Sequence, residues 1–391
     1  MKFSTKAIHI GSESDPNYGA VISPVYLTST YRQKYPGKFD KYDYARGFNP
    51  NFTYLEQNLA SLEGARHAVV FPSGMGALTA LILCILKSGD KVIGIDDLYG
   101  GTYRLFMRIF QNYNIGFEQF DMTNTKTLEK ALSKKPKLLI LESPTNPLLK
   151  ITDIKKVTTL AKEYGVLTLV DNTFASPYFQ KPLNLGADIV LHSTTKYISG
   201  HSDILGGVII SDHPDLMDKI PNSHMNKLEY IRNASGINPD PFACWLIQRG
   251  VKTMAVRMEK HQENALAIAK FLQKHPRVKK VYYPGLPLHE NHNIAKKQMS
   301  GFSGIVSVEF NLSYEETKQM ITLFKIITLA ESLGAVESLV DHPASMTHGA
   351  IPKEEREKIG LTDGLIRLSV GIEDVNDIIA DLSQALHRLA E

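Results

Sequence analysis

The chain has 391 residues, 43% of them hydrophobic and 22% charged, with a formal charge of +3, which is ordinary globular composition with room for a large core and two domains. So small a net charge, without a long basic run, argues against nucleic acid as a partner, and the two cysteines, Cys84 in ALILCIL and Cys244 in FACWLI, read as core residues of a reducing compartment, not a disulfide framework. The opening MKFSTKAIHIGSESDPNYGA lacks the apolar stretch of a signal peptide, and ALILCIL falls far short of the roughly 20 residues that cross a membrane, so the expectation is a cytoplasmic protein without a membrane partner.

Residues 1–47, rich in Tyr, Ser, Thr, Gly and Pro, keep no sustained period and read as an arm that must lie on something else to be ordered. Over 48–241, short apolar runs alternate with helical segments. HAVVF (67–71), KVIGI (91–95), KLLILE (137–142), VLTLVD (166–171), DIVLHS (188–193) and GGVIIS (206–211) read as strands. Between them GALTALILCILKSG, GTYRLFMRIFQNY, NTKTLEKALSK and DIKKVTTLAKEYG read as helices, the first and last ending at Gly. Strands apolar on both faces that alternate with helices predict an α/β domain around a mostly parallel sheet covered on both sides. The first of those helices is apolar almost all round, so it is expected to be buried.

Over 242–391 the pattern changes. FACWLIQRGVKTMAVRMEKHQENALAIAKFLQKHP predicts one long helix, or two abutting at Gly250, with Met254, Met258, Ala265, Ile268, Ala269 and Leu272 at helical spacing and Pro276 as the stop. KKVYYPG, GIVSVEFN, ITLAESL and GLIRLSVGI read as strands, with helices near 313–325 and 375–389. This is a smaller α+β domain.

HAVVFPSGMGALTALI gives a strand, a Gly-rich turn and a helix, with Asp96 following Gly74 by 22 residues, much like a dinucleotide-binding fingerprint. Thr79 stands where the third glycine belongs, and that first strand would begin 67 residues in. A nicotinamide-dependent oxidoreductase stays as an outside alternative. The turn keeps its generic meaning, backbone N–H groups at a helix N-terminus suited to phosphate. No GxxxxGK[ST], HExxH or GxSxG occurs, GFSG has the wrong spacing, and HENH (289–292) is expected in a surface loop, so no metal site is predicted.

ADIVLHSTTKYISGH places Lys196 at the end of a buried strand among hydroxyls. One reading is a strand-capping lysine that snorkels to solvent. However, Ser193 and Thr195 offer donors suited to anionic oxygens, and Asp171 ends another buried strand, so a parallel sheet brings it out at the same carboxyl edge. An amine for a Schiff base, a carboxylate for a pyridinium N–H and a phosphate cradle are the parts that pyridoxal 5'-phosphate (PLP) needs. Tyr99 in DDLYGGTYR is either a core tyrosine or a ring-stacking one, and Arg367 in LIRLSVG either a solvent-facing edge residue or a carboxylate clamp.

With YDYAR, FPSGMGAL, DDLYGGTYRLF, LESPTNP, VDNTFASP, HSTTKYISGHSD, LAESLGAVESLV, HPASMTH and LIRLSVGIED in order along nearly the whole chain, the sequence resembles the cysteine/methionine-metabolism family of PLP enzymes, fold type I. The resemblance implies that Lys196 forms the covalent imine to the cofactor and that Asp171 pairs with its ring nitrogen. Backbone N–H groups of Gly74 and Met75 and the hydroxyls of Ser193 and Thr195 would hold the phosphate, Thr173 would also touch the cofactor, and Tyr99 would stack on its ring and assist proton transfer. Tyr44 and Arg46 of the arm would reach the neighbouring subunit's phosphate, in a homotetramer of two such dimers. Arg367, helped by Asn146 and Ser338, would clamp the substrate α-carboxylate. Glu337 in GAVESL matches the position where γ-lyases and γ-synthases of cystathionine carry glutamate, with Asp43 and Arg104 completing a charged pocket for a second amino-acid head group.

The implied activity is γ-elimination from L-cystathionine, with cystathionine γ-synthase and then β-lyase as alternatives. Two departures from the family pattern stand out: YARGFNPN in place of YSRxxNPT, with Ala45 and Asn51 substituted, and NASGINPDPF (233–242) in place of a Gly-rich loop.

Overall fold

A computed structural model covers the chain and describes every residue except 13, 16, 348, 350–352 and 390–391. The 348–352 part of HPASMTHGAIP therefore lies largely outside the described residues.

The larger sheet has seven strands in the order β1 (Ala68–Phe71), β7 (Gly207–Ser211), β6 (Ile189–Ser193), β5 (Leu167–Asp171), β4 (Leu138–Glu142), β2 (Lys91–Ile95) and β3 (Gly116–Phe120). The run from β6 to β3 is parallel, while β7 is antiparallel to both its neighbours. Every residue of β1, β4 and β7 is buried, which is why these strands read as unbroken apolar runs. The edge strand β3 is the one the apolar pattern misses. Its sequence, GFEQF, is half exposed along its length, and Glu118 there pairs with Lys134 at 2.5 Å, so it carries no apolar run.

Helices cover both faces, and several differ from expectation. The helix Gly74–Ile85 begins at Ser73, whose hydroxyl accepts the Gly76 N–H at 2.9 Å. It stops four residues short of Gly89, because Leu86 is extended and the Asp90 carboxylate takes the Lys87 N–H at 2.7 Å. It is also one-sided, with Leu83 47% exposed and Cys84 half-buried. GTYRLFMRIFQNY is a broken helix, α over Gly100–Arg104, π over Leu105–Ile109 and 3-10 over Phe110–Tyr113. The helix Ile154–Glu163 ends as expected, with Gly165 at φ +68° and the Gly165 and Val166 N–H groups returning to Lys162 and Ala161.

The helix Pro50–Glu63, outside the expected elements, carries a helical period: Phe52, Leu55, Leu59 and Leu62 recur at that spacing and are all buried. Its Asn58 side chain donates to the carbonyls of Lys6, Ala7 and Ile10. The helix Phe3–His9 therefore packs on its own chain, against the expectation of a wholly aperiodic arm.

The smaller sheet runs β10 (Thr328–Leu329), β11 (Leu339–Asp341), β12 (Leu365–Ser369), β9 (Ile305–Phe310), β8 (Val278–Tyr282), antiparallel except for β10 and β11. ITLAESL yields only the two residues of β10, and the chain then leaves the sheet until β11, which the apolar pattern does not mark. Two helices, Pro241–Val251 and Met254–Gln273, replace the single long one, with the break after Gly250 and not at it. A Cβ on Gly250 would sit 2.2 Å from the Ser199 carbonyl oxygen, so glycine lets this helix lie against the turn that carries Lys196. HENH is not wholly loop, since His292 opens the helix His292–Gln298. No described helix is long and apolar enough to cross a membrane.

Candidate active site

The buried strand β6 ends at Ser193, and the chain closes at once into a helical turn in which the Lys196 N–H returns to Ser193 and the Gly200 N–H to Lys196. Arg257, 4% exposed, pins that turn, its guanidinium donating to the carbonyls of Tyr197 at 2.8 Å and Gly250 at 2.9 Å. Lys196 thereby projects from a fixed base into a cavity of about 360 Å³. Burial and the nearby Arg367 guanidinium push its amine down to about 8, against the opposing pull of Glu331 and Asp341. Its Nζ donates to Ser332 Oγ at 2.7 Å.

Ten of the residues singled out from sequence line this cavity: Lys196, Asp171, Gly74, Met75, Ser193, Thr195, Tyr99, Thr173, Asn146 and Arg367. Asp171 ends β5, where its Oδ1 accepts the Thr173 N–H at 3.0 Å and hydroxyl at 2.6 Å. Burial holds the carboxyl above its ordinary range, with the Thr173 hydrogen bonds opposing. At the other end, the first turn of the helix Gly74–Ile85 leaves N–H groups without intrahelical acceptors. A Cβ on Gly74 would lie 3.0 Å from Ser193 Cβ, so a side chain there would crowd the space between helix start and strand end. Thr195 Oγ1 is engaged with Gly206, accepting its N–H at 3.0 Å. An amine, a carboxylate held by Thr173, and a cradle of N–H and hydroxyl donors therefore share one cavity. That donor set fits PLP.

Arg367 lies inside the smaller sheet, on β12 between β11 and β9, and is 3% exposed, so the edge-strand reading fails. Its guanidinium pairs with Asp341, its register partner on β11, and donates to Asn146 Oδ1 at 2.6 Å and to the Ser332 carbonyl at 3.1 Å. It is thus a buried, oriented cation facing the cavity, with the geometry to receive a carboxylate.

Six predicted residues lie elsewhere. Glu-Ser-Leu occurs twice, at 331–333 and 337–339, and the structure puts the first copy, not the second, in the wall beside Lys196. Ser338 is buried with its hydrogen bonds spent: its N–H and hydroxyl go to Glu373 at 2.6 and 2.9 Å, and its Oγ accepts the Gly371 N–H. Glu337 lines an adjoining cavity of about 580 Å³, which shares Thr195, Leu205, Glu331 and Ser332 with the first. Ser332 adopts φ +112°, a conformation costly for a residue with a side chain and typical of functional positions.

Arg104 is exposed and does not line the cavity. Asp43, Tyr44 and Arg46 also stand outside it: Asp43 accepts the Tyr44 N–H at 2.7 Å, and Arg46 donates to Asn233 Oδ1 at 3.1 Å and lies over the Tyr44 ring. Sequence reading missed Glu331, Ser332 and Glu142. Glu142 was available, since it ends β4 as Asp171 ends β5, and its Oε2 accepts the Tyr99 N–H at 3.0 Å.

Comparison with known proteins gives these parts a context. The profile of the family described as Cys/Met metabolism PLP-dependent enzyme matches residues 4–387. A cystathionine beta-lyase of Coxiella burnetii is 49% identical over 98% of this chain and 97% of its own. A cystathionine gamma-lyase of Dictyostelium discoideum is 48% identical over 99% of this chain and 98% of its own. The crystal structure of cystathionine gamma synthase from Xanthomonas oryzae in complex with cystathionine superposes with a TM-score of 0.94 at 42% identity, covering 100% of this chain and 99% of that one. The chain belongs to the Cys/Met metabolism family of PLP-dependent enzymes, and the nicotinamide alternative falls with that finding.

Proposed function

We propose that this PLP enzyme cleaves L-cystathionine by γ-elimination, giving L-cysteine, 2-oxobutyrate and ammonia. The observation that carries the reading is the distal wall. Glu331 borders both cavities, and Asp203 and Glu337 line the second, with no aromatic residue among its described lining. Carboxylates there suit the far ammonium group of cystathionine, a charge that an apolar wall would reject.

When bound, PLP supplies the electron sink that lets a Cα–H bond of an amino acid break. Arg367, steadied by Asn146 and Asp341, holds the substrate α-carboxylate and so fixes which Cα bond faces Lys196. Lys196 Nζ, brought down to about 8 and so uncharged in part near neutrality, takes the Cα proton, and loss of a Cβ proton then lets the Cγ–S bond break. Ser332 orients that amine through its hydroxyl. Asp171 keeps a proton on the ring nitrogen, and Thr173 holds the carboxylate in place. The first turn at Gly74 and Met75, with Ser193 and Thr195, anchors the phosphate. Tyr99 stands over the cavity to protonate the departing sulfur.

The division into an arm (1–47), a cofactor domain (48–241) and a C-terminal domain (242–391) belongs to the same reading, as does a cytoplasmic homotetramer. Tyr18, Val21, Leu27 and Tyr35 are 92%, 87%, 73% and 66% exposed, an apolar stretch suited to burial against a second copy. Tyr44 and Arg46, outside their own cavity, would then complete the partner's phosphate site. Mixing two dead variants, R46A and K196A, should restore activity through mixed dimers with one intact site.

The deciding experiment is product analysis with L-cystathionine alone. Cysteine plus 2-oxobutyrate supports the γ-lyase. Homocysteine plus pyruvate would make it a β-lyase, and inertness towards cystathionine with turnover of an activated homoserine ester plus cysteine would make it a γ-synthase.

A further inference from the structure

Glu142 is the last residue of β4, and the parallel register sets it beside Asp171, the last residue of β5. Both carboxyls line the cavity. Two anions side by side in a buried site repel each other, and one member of such a pair retains a proton. The surroundings decide which. Asp171 has both the N–H and the hydroxyl of Thr173 on one oxygen, and His192 nearby favours its charged form.

Glu142 is 4% exposed and faces two acids, Asp171 and Asp97. Burial and those two neighbours hold its carboxyl well above the usual range, despite N–H groups from Tyr99 and Asn146. Asp97 itself is pushed up to about 6 by burial.

The two N–H donors matter as much as the proton. Tyr99 sits on the loop after β2 and Asn146 on the loop after β4, and each side chain faces the cavity. Asn146 in turn receives the Arg367 guanidinium. One carboxyl thus gathers the backbones beneath the ring-stacking tyrosine and the carboxylate clamp, at the same strand edge as Asp171.

We propose that Glu142 is a positioning residue: as an uncharged acid it ties the Tyr99 and Asn146 backbones to the end of β4 and leaves Asp171 the single anion beside the ring nitrogen. This rests on the placement of cofactor and substrate proposed above.

The test uses purified holoenzyme carrying E142Q or E142A. Three quantities are read: the pH titration of the cofactor's visible band without substrate, KM and kcat for L-cystathionine, and the thermal midpoint. Glutamine is neutral and offers the same acceptor, so E142Q should titrate within about 0.2 pH unit of wild type and keep both kinetic constants within about threefold. E142A loses the acceptor, so its KM should rise about tenfold with kcat within about threefold. If E142A does not fold, E142M fills the space without an acceptor and carries the same expectation.

A fall of about half a pH unit or more in the E142Q midpoint would mean that a real negative charge was removed, and would overturn the proposal. So would an unchanged KM in E142A or E142M, which would reduce Glu142 to packing. If wild type leaves L-cystathionine untouched, the functional reading fails separately, and the spectral comparison still decides the state of Glu142.

Discussion

The cavity has two walls of different construction. The cofactor wall is made of strand ends: Glu142, Asp171 and Ser193 close β4, β5 and β6 in turn, and the ladder fixes their spacing. The substrate wall is irregular. Glu331 and Ser332 lie on the segment between β10 and β11, where Ser332 meets Lys196 through its hydroxyl and Arg367 through its carbonyl. A wall built on hydrogen-bonded strands is stiff and repeats a pattern, whereas one built on a loop has neither property. Substitutions of the reacting groups on the first wall should therefore strike the chemistry itself, and those on the second should strike recognition.

The largest effect expected is on the cofactor wall. K196A should lower kcat on the order of 10⁴-fold, since no other described amine lines the cavity. Borohydride reduction followed by peptide mass analysis should find the adduct on Lys196 in wild type and nowhere in the variant. Persistent turnover in K196A would remove this lysine from the mechanism.

The same side chain sets a pH dependence in the cofactor-free protein. Unfolded, Lys196 keeps its proton up to about 10.4, while folded it gives the proton up at about 8 because of burial and Arg367. Between those values the unfolded chain binds one more proton, so stability rises with pH across that window. K196M, which never carries the charge, should be more stable than wild type by roughly 2–3 kcal/mol at pH 7. The gap should close as pH approaches 10, as read by denaturant unfolding. A gap independent of pH would mean the folded amine titrates normally.

A comparison across the substrate wall is next in size. E331A should raise KM for L-cystathionine roughly 20-fold, as expected for losing a charged partner of an ammonium. E337A, one cavity further out, should change KM by less than about threefold. The reverse order would restore the second Glu-Ser-Leu as the recognition element.

This asymmetry also explains what could be read without coordinates. Buried strands announce themselves by apolar runs, and a polar residue that ends such a run must emerge at the carboxyl edge. Lys196, Asp171 and Ser193 follow from that rule, and Glu142 at the end of β4 obeys it too. The distal wall carries no period. There Glu-Ser-Leu repeats after six residues, and only the path of the chain between β10 and β11 tells the copies apart. The apolar pattern of its own strand could not place Arg367 either, because its meaning depends on Asp341 across the sheet and Asn146 on the loop after β4. The arm is a mixed case: the helix Phe3–His9 is too short to declare a period, yet Asn58 captures its carbonyls.

The smallest effects expected separate the two serines of that repeat. Ser338 serves the fold: its hydroxyl joins Glu373 to the Gly371 N–H in a buried position. S338A should cost about 1–2 kcal/mol of stability, because the buried Gly371 N–H and the half-buried Glu373 carboxylate lose their bond, with KM within about twofold. Ser332 serves the site, where its hydroxyl meets Lys196 Nζ at 2.7 Å. S332A should leave the thermal midpoint nearly unmoved and shift KM or kcat by about threefold, the worth of one hydrogen bond to a partner that other groups can still orient. If S338A instead moved KM while S332A moved only stability, the cavity wall assigned to residues 331–333 would be the wrong one.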